Sequence, residues 1–357
     1  MRNIFLYPLL LLIFVCTSSC NKAPERANSS TEDIATIEKH VLADFTNNIA
    51  LHVYLQLNND ALNLNAALDS LNNNLTDSNL QVARLKWKAL RETWEQSESF
   101  LFGPVEDNDF DPNMDTWPTD YTQLDSLLLS NASLQLSDVQ GLTLSLRGFH
   151  PIEYIIFGNH GDKKAADISL RQRQYMLSLS RDICKTCNML YQCWAAAPVN
   201  FAQELTTAGV GSKKYNTKQE AFMALVGAMV AICEEVGDGK MKEPFLKQAP
   251  NLVESPYSGN SLTDFRNNII GVRNIYMGVN GGYGLKDLVA SVNKNLDNTI
   301  QQQITIAINS FNNISGYFED AIIDEPVQVQ QTMLTLNNLH ETLETQLIPF
   351  IQLYIKD

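Results

Sequence analysis

Apolar side chains recur every three or four residues along most of this chain, which is the period of a helix. A first stripe comprises Ile34, Ile37, Val41, Phe45 and Ile49. A second runs from Leu80 to Phe102, before Gly103–Pro104, and similar runs cover residues 168–197, 218–236, 263–278, 285–314 and 328–355. This spacing predicts amphipathic helices that bury one face. Alternating runs bounded by hairpin turns, which predict strands, do not occur, so the sequence predicts an all-α fold.

The chain length and the breaks between helical runs indicate two domains. A chain of 357 residues exceeds what one core usually holds. The polar stretch NFAQELTTAGVGSKKYNTK, which begins at Asn200, is the strongest candidate for a boundary. We predict a helical bundle at residues 32–198 and a second at residues 199–357, both of the four-helix type and packed side by side. The acidic, proline-containing stretch 104–121 is predicted to be a loop.

The N-terminus has the pattern of an export signal. Arg2 precedes an apolar core at residues 4–15, which is shorter than the ~20 residues that cross a bilayer. The stretch TSSC, which ends at Cys20, resembles a bacterial lipobox, so residues 1–20 are predicted to be a lipoprotein signal peptide; an ordinary cleaved signal is the alternative. A lipid on Cys20 would anchor the protein to the outer membrane, on its periplasmic or outer face. Residues 21–31 are polar and are predicted to be a tether.

The formal net charge of −14 narrows the choice of partners. So acidic a chain disfavours nucleic acid and anionic lipid as partners and favours cations. The stretch CKTCNMLYQC, which begins at Cys184, contains a CxxC that is typical of a redox pair or half of a zinc site. The second pair of thiols that a zinc site needs is missing, and free cysteines are often buried. We therefore expect Cys184 and Cys187 to be core residues.

Motifs of several enzyme classes are absent from the sequence. No glycine-rich phosphate loop follows a strand, and neither GxSxG, HExxH nor HxxEH occurs. A zinc peptidase needs about three protein ligands, an open water position and a general base. Whether this protein is an enzyme is therefore left open by its motifs.

The stretch LSLRGFHPIEYIIFG, residues 144–158, places a histidine and a glutamate inside an apolar run. On a helix, His150 and Glu153 lie about 60° apart on one face, within reach of one ion. Imidazole and carboxylate are ligands for zinc or iron. The alternative is structural, since a helix that begins at Pro151 would make His150 its N-cap and Glu153 its third residue, as in a capping box. Spacing alone leaves both interpretations open.

Several segments resemble the imelysin-like family, which includes proteins classed as M75-type peptidases and iron-regulated periplasmic proteins. RGFHPIEYIIFG is similar to its GxHxxE motif, with Gly148, His150 and Glu153 at the three defining positions. WEQSESFLFGPVED, DPNMDTWPTD, EVGDGKMKEP and ESPYSGNSLTDFRNNIIGVRNIYMG resemble further family segments, in the family's order. Pro151 departs from the small helix former that is usual in the family.

The resemblance implies an exported protein of two helical bundles, with the GxHxxE motif near their interface. The family was named for a peptidase and includes the periplasmic component of a ferrous-iron uptake system. By resemblance, Glu98 is expected near His150 and Glu153 as a metal ligand, and Asp264 and Arg273 are expected to bind ligand on the facing wall.

Three functional interpretations follow for the cell envelope of a bacterium. The first is a lipid-anchored protein that binds a metal ion, iron or zinc, or a related small ligand, and that acts in uptake beside another protein of the uptake system. The second is a metallopeptidase that uses His150 and Glu153. The third is a helical interaction scaffold that binds no metal.

Overall fold

The structure, a computed structural model, describes residues 33–356 as helices joined by loops. The helices before residue 199 are α1 (Ile34–Asp44), α2 (Leu51–Asn73), α3 (Asp77–Ser97), α4 (Pro104–Asp107), α5 (Phe110–Asp115), α6 (Tyr121–Leu129), α7 (Leu136–Val139), α8 (Phe149–Phe157) and α9 (Leu170–Ala195). Those after it are α10 (Phe201–Thr206), α11 (Lys218–Glu234), α12 (Lys242–Lys247), α13 (Ser261–Met277), α14 (Leu285–Val292), α15 (Lys294–Ser310), α16 (Phe318–Asp324), α17 (Pro326–Thr342) and α18 (Ile348–Tyr354). No strand occurs within residues 33–356, so the all-α prediction is confirmed.

Three π-helical segments join α-helices without a break. Phe45–Ala50 connects α1 to α2, Glu235–Met241 connects α11 to α12, and Leu343–Leu347 connects α17 to α18. Such wide turns are rare in proteins, and those that occur are frequently at functional sites. Shorter 3₁₀ segments lie at Glu98–Phe100, Leu144–Leu146, Ala165–Asp167, Pro250–Leu252 and Phe311–Asn313.

The longer helices pack in two groups of four. In the first group, α2 packs against α3 and α9, and α8 packs against the same two helices. Helices α11, α13, α15 and α17 form the second group. The groups meet where α3 lies against α13. α1 packs against α14, so the N-terminal helix also contacts the later part of the chain. The division at residues 32–198 and 199–357 stays a prediction.

Two predictions of secondary structure, one of a loop and one of a helix, need correction. The stretch predicted as a loop contains α4 and α5, because Pro104 stands at the first position of α4 and Phe110 and Met114, four residues apart, are both buried. The predicted helix over residues 285–314 divides at Asn293, whose side chain accepts a hydrogen bond from the Leu296 amide and caps α15.

Residues 1–32 lie outside the described residues, so the signal peptide, the lipidation of Cys20 and the tether stay predictions. Among residues 33–356, no helix has both the length and the apolar character that crossing a bilayer requires. The thiols of Cys184 and Cys187 are free and Cys187 is fully buried. Burial raises the pKa of Cys187 well above its usual value, which is typical of an inert core thiol.

Candidate metal centre

The first turn of α8 carries the histidine of the GxHxxE motif. Helix α8 begins at Phe149, and its N-cap Gly148 has φ of +80°. A Cβ built on Gly148 would lie 2.5 Å from the carbonyl carbon of Met114, so this close backbone contact requires glycine. Pro151 occupies the third helical position, where no intrahelical partner is lost. His150 lies inside the helix, so the interpretation that it caps a helix starting at Pro151 is wrong.

His150 and Glu153 are in contact and almost completely buried. The Nδ1 atom of His150 lies 3.3 Å from Oε2 of Glu153, and their exposed fractions are 1% and 0%. The other oxygen of Glu153 accepts the amide of Tyr257 at 3.1 Å and the amide and hydroxyl of Ser258 at 2.8 Å each. The glutamate therefore joins α8 to the loop that precedes α13.

Asp115, at the end of α5, completes the surroundings of the imidazole. Its Oδ1 lies 3.0 Å from Nε2 of His150, although that nitrogen has no partner in hydrogen-bonding geometry. Asp115 also accepts hydrogen bonds from Arg91 at 2.5 Å and from the indole N–H of Trp94 at 2.6 Å. Burial acts to raise the pKa of Asp115, but the charge of Arg91 and the contact with His150 outweigh it and hold the pKa well below its usual range.

Arg91 is fully buried and forms ion pairs with several carboxylates at once. It donates to Glu95, one turn later on α3, and to Glu254 at 3.2 Å, and its Nε lies 3.9 Å from Asp264. Asp264 itself accepts hydrogen bonds from Ser255 and Asn260. Because the cost of burying a guanidinium is offset only by good pairing, this arrangement fixes the position of α3 against the later segment.

Lys240, in the second π-helical segment, occupies the far side of the cluster. Its ammonium lies 2.8 Å from Glu98, 3.0 Å from Glu254 and 3.6 Å from Glu95. The amide of Asn268 donates to both Glu95 and Glu98. Glu254 therefore contacts Arg91 and Lys240 together and connects the two sides of the cluster.

The cluster holds more carboxylates than basic groups. Its basic side chains are Arg91, His150 and Lys240; its carboxylates are Glu95, Glu98, Asp115, Glu153, Glu254 and Asp264. Protonation of some of the carboxyl groups offsets part of this excess of negative charge. Burial raises the pKa of Glu98 to about 8 and the pKa values of Glu95 and Asp264 well above their usual ranges. Burial alone would lower the pKa of His150, but its contacts with Asp115 and Glu153 raise it to about 9.

One set of residues in this cluster fits a metal cation. Asp115, His150 and Glu254 each offer a ligand atom, and these atoms lie within 4.8 Å of one another. Nε2 of His150 and Oε2 of Glu254 are buried without a hydrogen-bond partner. One imidazole nitrogen with carboxylate oxygens is a donor set that suits ferrous iron or zinc. Glu95, Glu254 and Asp264 form a second, all-oxygen set that shares Glu254.

The residues named from the sequence are divided between the cluster and the surface. His150, Glu153, Glu98 and Asp264 all lie in the cluster, and Glu98 contacts Lys240 and Asn268. Arg273 is exposed, and its side chain donates to the neighbouring Asn274 at 3.1 Å. Among the described contacts, none joins Arg273 to the cluster.

The sequence reasoning missed Arg91, Asp115, Lys240 and Glu254. A signal for Arg91 existed, because Trp87, Arg91 and Trp94 continue the stripe of three and four that predicts the buried face of α3. A charge on that face is costly unless it is paired. The other three lie in segments that resemble the family, and no spacing pattern joins them.

These features define an all-helical protein with a buried histidine–carboxylate cluster where its two groups of helices meet. The profile of the family described as Peptidase_M75: Imelysin matches residues 50–346. The chain belongs to the imelysin family.

Similar proteins agree with this assignment. Iron-regulated protein A of Synechococcus elongatus is 29% identical over 333 residues, which cover 89% of this chain and 88% of that protein. The crystal structure of an iron-regulated protein A precursor from Parabacteroides distasonis superimposes with a TM-score of 0.82 at 22% identity, covering 92% of this chain and 98% of that one. An imelysin-like protein from Psychrobacter arcticum gives 0.73 at 15% identity, covering 92% and 100%. At these identities, the two structures establish the fold.

Proposed function

We propose that this chain is a bacterial cell-envelope protein that binds a metal cation at Asp115, His150 and Glu254. One observation carries the proposal: these residues bring three ligand atoms within 4.8 Å of one another in a cluster where Nε2 of His150 has no hydrogen-bond partner. Nε2 of His150 lies 3.0 Å from Oδ1 of Asp115 without hydrogen-bonding geometry, and a buried polar atom that lacks a hydrogen bond is costly. A cation that replaced the proton on this nitrogen would bind both atoms.

The charge of the cluster supports a cation of charge two or more. Six buried carboxylates face three basic side chains, and burying uncompensated negative charge is strongly unfavourable. A divalent cation would take the place of the proton on His150 and of protons held by carboxylates such as Glu95 and Asp264.

The similarity to iron-regulated proteins favours iron as the cation. Two of the similar proteins are described as iron-regulated protein A or its precursor. The donor set of the cluster is compatible with ferrous iron, and zinc is the chief competitor. We propose that the bound ion is cargo in iron uptake and that it passes to or from another protein of an uptake system.

The proposed location is the outer membrane, with Cys20 as the lipidated residue. The lipobox-like stretch TSSC supports this location. One lipid at Cys20 and the polar residues 21–31 would hold the helical body near the membrane surface.

Calorimetric titration of the metal-stripped protein with Fe²⁺, Fe³⁺ and Zn²⁺ tests the proposal. We expect saturable binding of at least one ion to the wild type, and loss of that binding in His150→Ala and in Asp115→Asn. His52→Ala is the matched control, because His52 is an exposed histidine outside the cluster. Equal binding by His150→Ala and His52→Ala would contradict the proposed ligand set.

A metallopeptidase is the alternative function, favoured by the description of the family. A peptidase must admit a peptide bond to an open position on its metal. His150 and Glu153 are 1% and 0% exposed, which favours binding of an ion over cleavage of a peptide. Metal-dependent hydrolysis of casein by the wild type that is lost in Glu153→Gln would support the peptidase instead.

A further inference from the structure

An acidic cleft opens on the surface beside the second π-helical segment. It is lined by Ala231, Glu234, Glu235, Asp238 and Gly239, and its volume is about 380 Å³. Three of these five residues are acidic, so the cleft attracts cations from solution. Part of its wall is the wide turn Glu235–Met241, which also carries Lys240.

A chain of ionic contacts runs from this cleft to the buried cluster. Glu235 is half-exposed, and its carboxylate lies 3.8 Å from the ammonium of Lys240. Lys240 is only 5% exposed and contacts Glu254 at 3.0 Å on its inner side. Glu254 is one of the three proposed ligands, so Lys240 stands between the cleft and the metal centre.

The ammonium of Lys240 occupies a position that suits a cation. Glu98 and Glu254, both buried, bind it from the inner side, and Glu235 approaches it from the cleft. A divalent ion at the same distance gains about twice the Coulomb energy of the ammonium, whereas a sodium or potassium ion gains no more than the ammonium does. Displacement of Lys240 therefore discriminates cations by their charge.

We propose that cations reach the metal centre through this cleft and that Lys240 is the residue that selects them. A multivalent cation displaces the ammonium from Glu254, and the lysine side chain swings outward toward Glu235 and solvent. The glycine that precedes it, Gly239, and the wide turn give the backbone the freedom for this movement. This inference rests on the proposed metal binding and adds to it a path and a selectivity residue.

Stopped-flow fluorescence with Co²⁺ tests the path. Trp94 is one of four tryptophans and donates to Asp115, so the part of the emission that Trp94 contributes reports occupancy of the centre by this quenching ion. We expect Glu235→Gln to lower the association and dissociation rate constants together, each by roughly threefold to tenfold, and to leave Kd nearly unchanged. Glu243→Gln is the matched control, since Glu243 is 49% exposed and pairs with a lysine, as the 51% exposed Glu235 does.

Lys240→Met tests the selection. We expect faster Co²⁺ association than in the wild type, because no ammonium has to be displaced. Na⁺ can then occupy the position of the ammonium, so we expect the affinity for Co²⁺ to fall as Na⁺ is added. Glu235 is half-exposed, so its variant is informative even where Lys240→Met does not fold. Wild-type binding with rate constants that Glu235→Gln changes no more than Glu243→Gln does overturns the path alone. No binding of Co²⁺, Fe²⁺ or Zn²⁺ by the wild type overturns the proposed function and this inference with it.

Discussion

Replacement of Gly148 by alanine tests whether the backbone contact at the start of α8 positions the proposed metal centre. The new Cβ would lie 2.5 Å from the carbonyl carbon of Met114 and 3.1 Å from its Cα. Carbon atoms in favourable contact are about 3.5–4.0 Å apart, so the chain would have to move by roughly 1 Å. Met114 directly precedes Asp115, and therefore that movement separates Asp115 from His150.

The cost of the substitution has two separable parts. A positive φ costs an alanine about 1–3 kcal/mol, and the overlap with Met114 adds about 1–3 kcal/mol. Gly316 has φ of +70°, and a Cβ added there would meet no atom within 4 Å, so Gly316→Ala carries only the first part. We expect the free energy of unfolding to fall by about 1–3 kcal/mol in Gly316→Ala and by about 2–6 kcal/mol in Gly148→Ala.

Urea unfolding of both variants, followed by far-ultraviolet circular dichroism, measures the difference. Calorimetric titration of the folded Gly148→Ala protein with Fe²⁺ then reports the metal centre, and we expect weaker binding than in Gly316→Ala. Equal losses of stability and equal affinities in the two variants would refute the reasoning, because the contact with Met114 would then have no effect.

Three further predictions follow from the cluster and the N-terminus. Arg91→Met leaves buried carboxylates without their main partner, so urea unfolding should show a loss of about 3–5 kcal/mol, and a loss below 1 kcal/mol would contradict the role of Arg91. In metal-free protein, Glu98 keeps its proton to about pH 8 when folded but releases it near pH 4.3 when unfolded. Stability should therefore fall as pH rises from about 5 to 8, by up to about 1.4 kcal/mol per pH unit for this group. Glu98→Gln should flatten the profile, and an unchanged slope would point to other groups. Cys20→Ala should abolish incorporation of labelled palmitate during expression in a bacterial host; continued labelling would place the lipid elsewhere.

The sequence predicted the helices well because their stripes are regular. The stripe on α3 also indicated the buried face on which Trp87, Trp94 and Arg91 lie. The stripe could not indicate that Arg91 contacts Glu254, 163 residues later, because such a contact depends on how α3 and α13 pack. The spacing of apolar residues predicts one helix at a time and does not predict which helices pack together.

The candidate metal centre was predictable only in part for the same reason. His150 and Glu153 lie on one helix, so their spacing brought them together correctly. Asp115 lies in a stretch interpreted as a loop because of its acidic residues and prolines, yet Phe110 and Met114 fold it into α5. Arg273 was named by resemblance alone, and its exposed position shows that a matching segment does not direct every side chain toward the centre.

The proposed ligand set is shared between two parts of the chain: Asp115 and His150 precede residue 199, while Glu254 follows it. An ion bound by all three would therefore be linked to the contact between α3 and α13, and each would strengthen the other by the same free energy. Such an ion would hold the two groups of helices together. Separation of α13 from α3 would then be sufficient to release it, without reduction or protonation at the site.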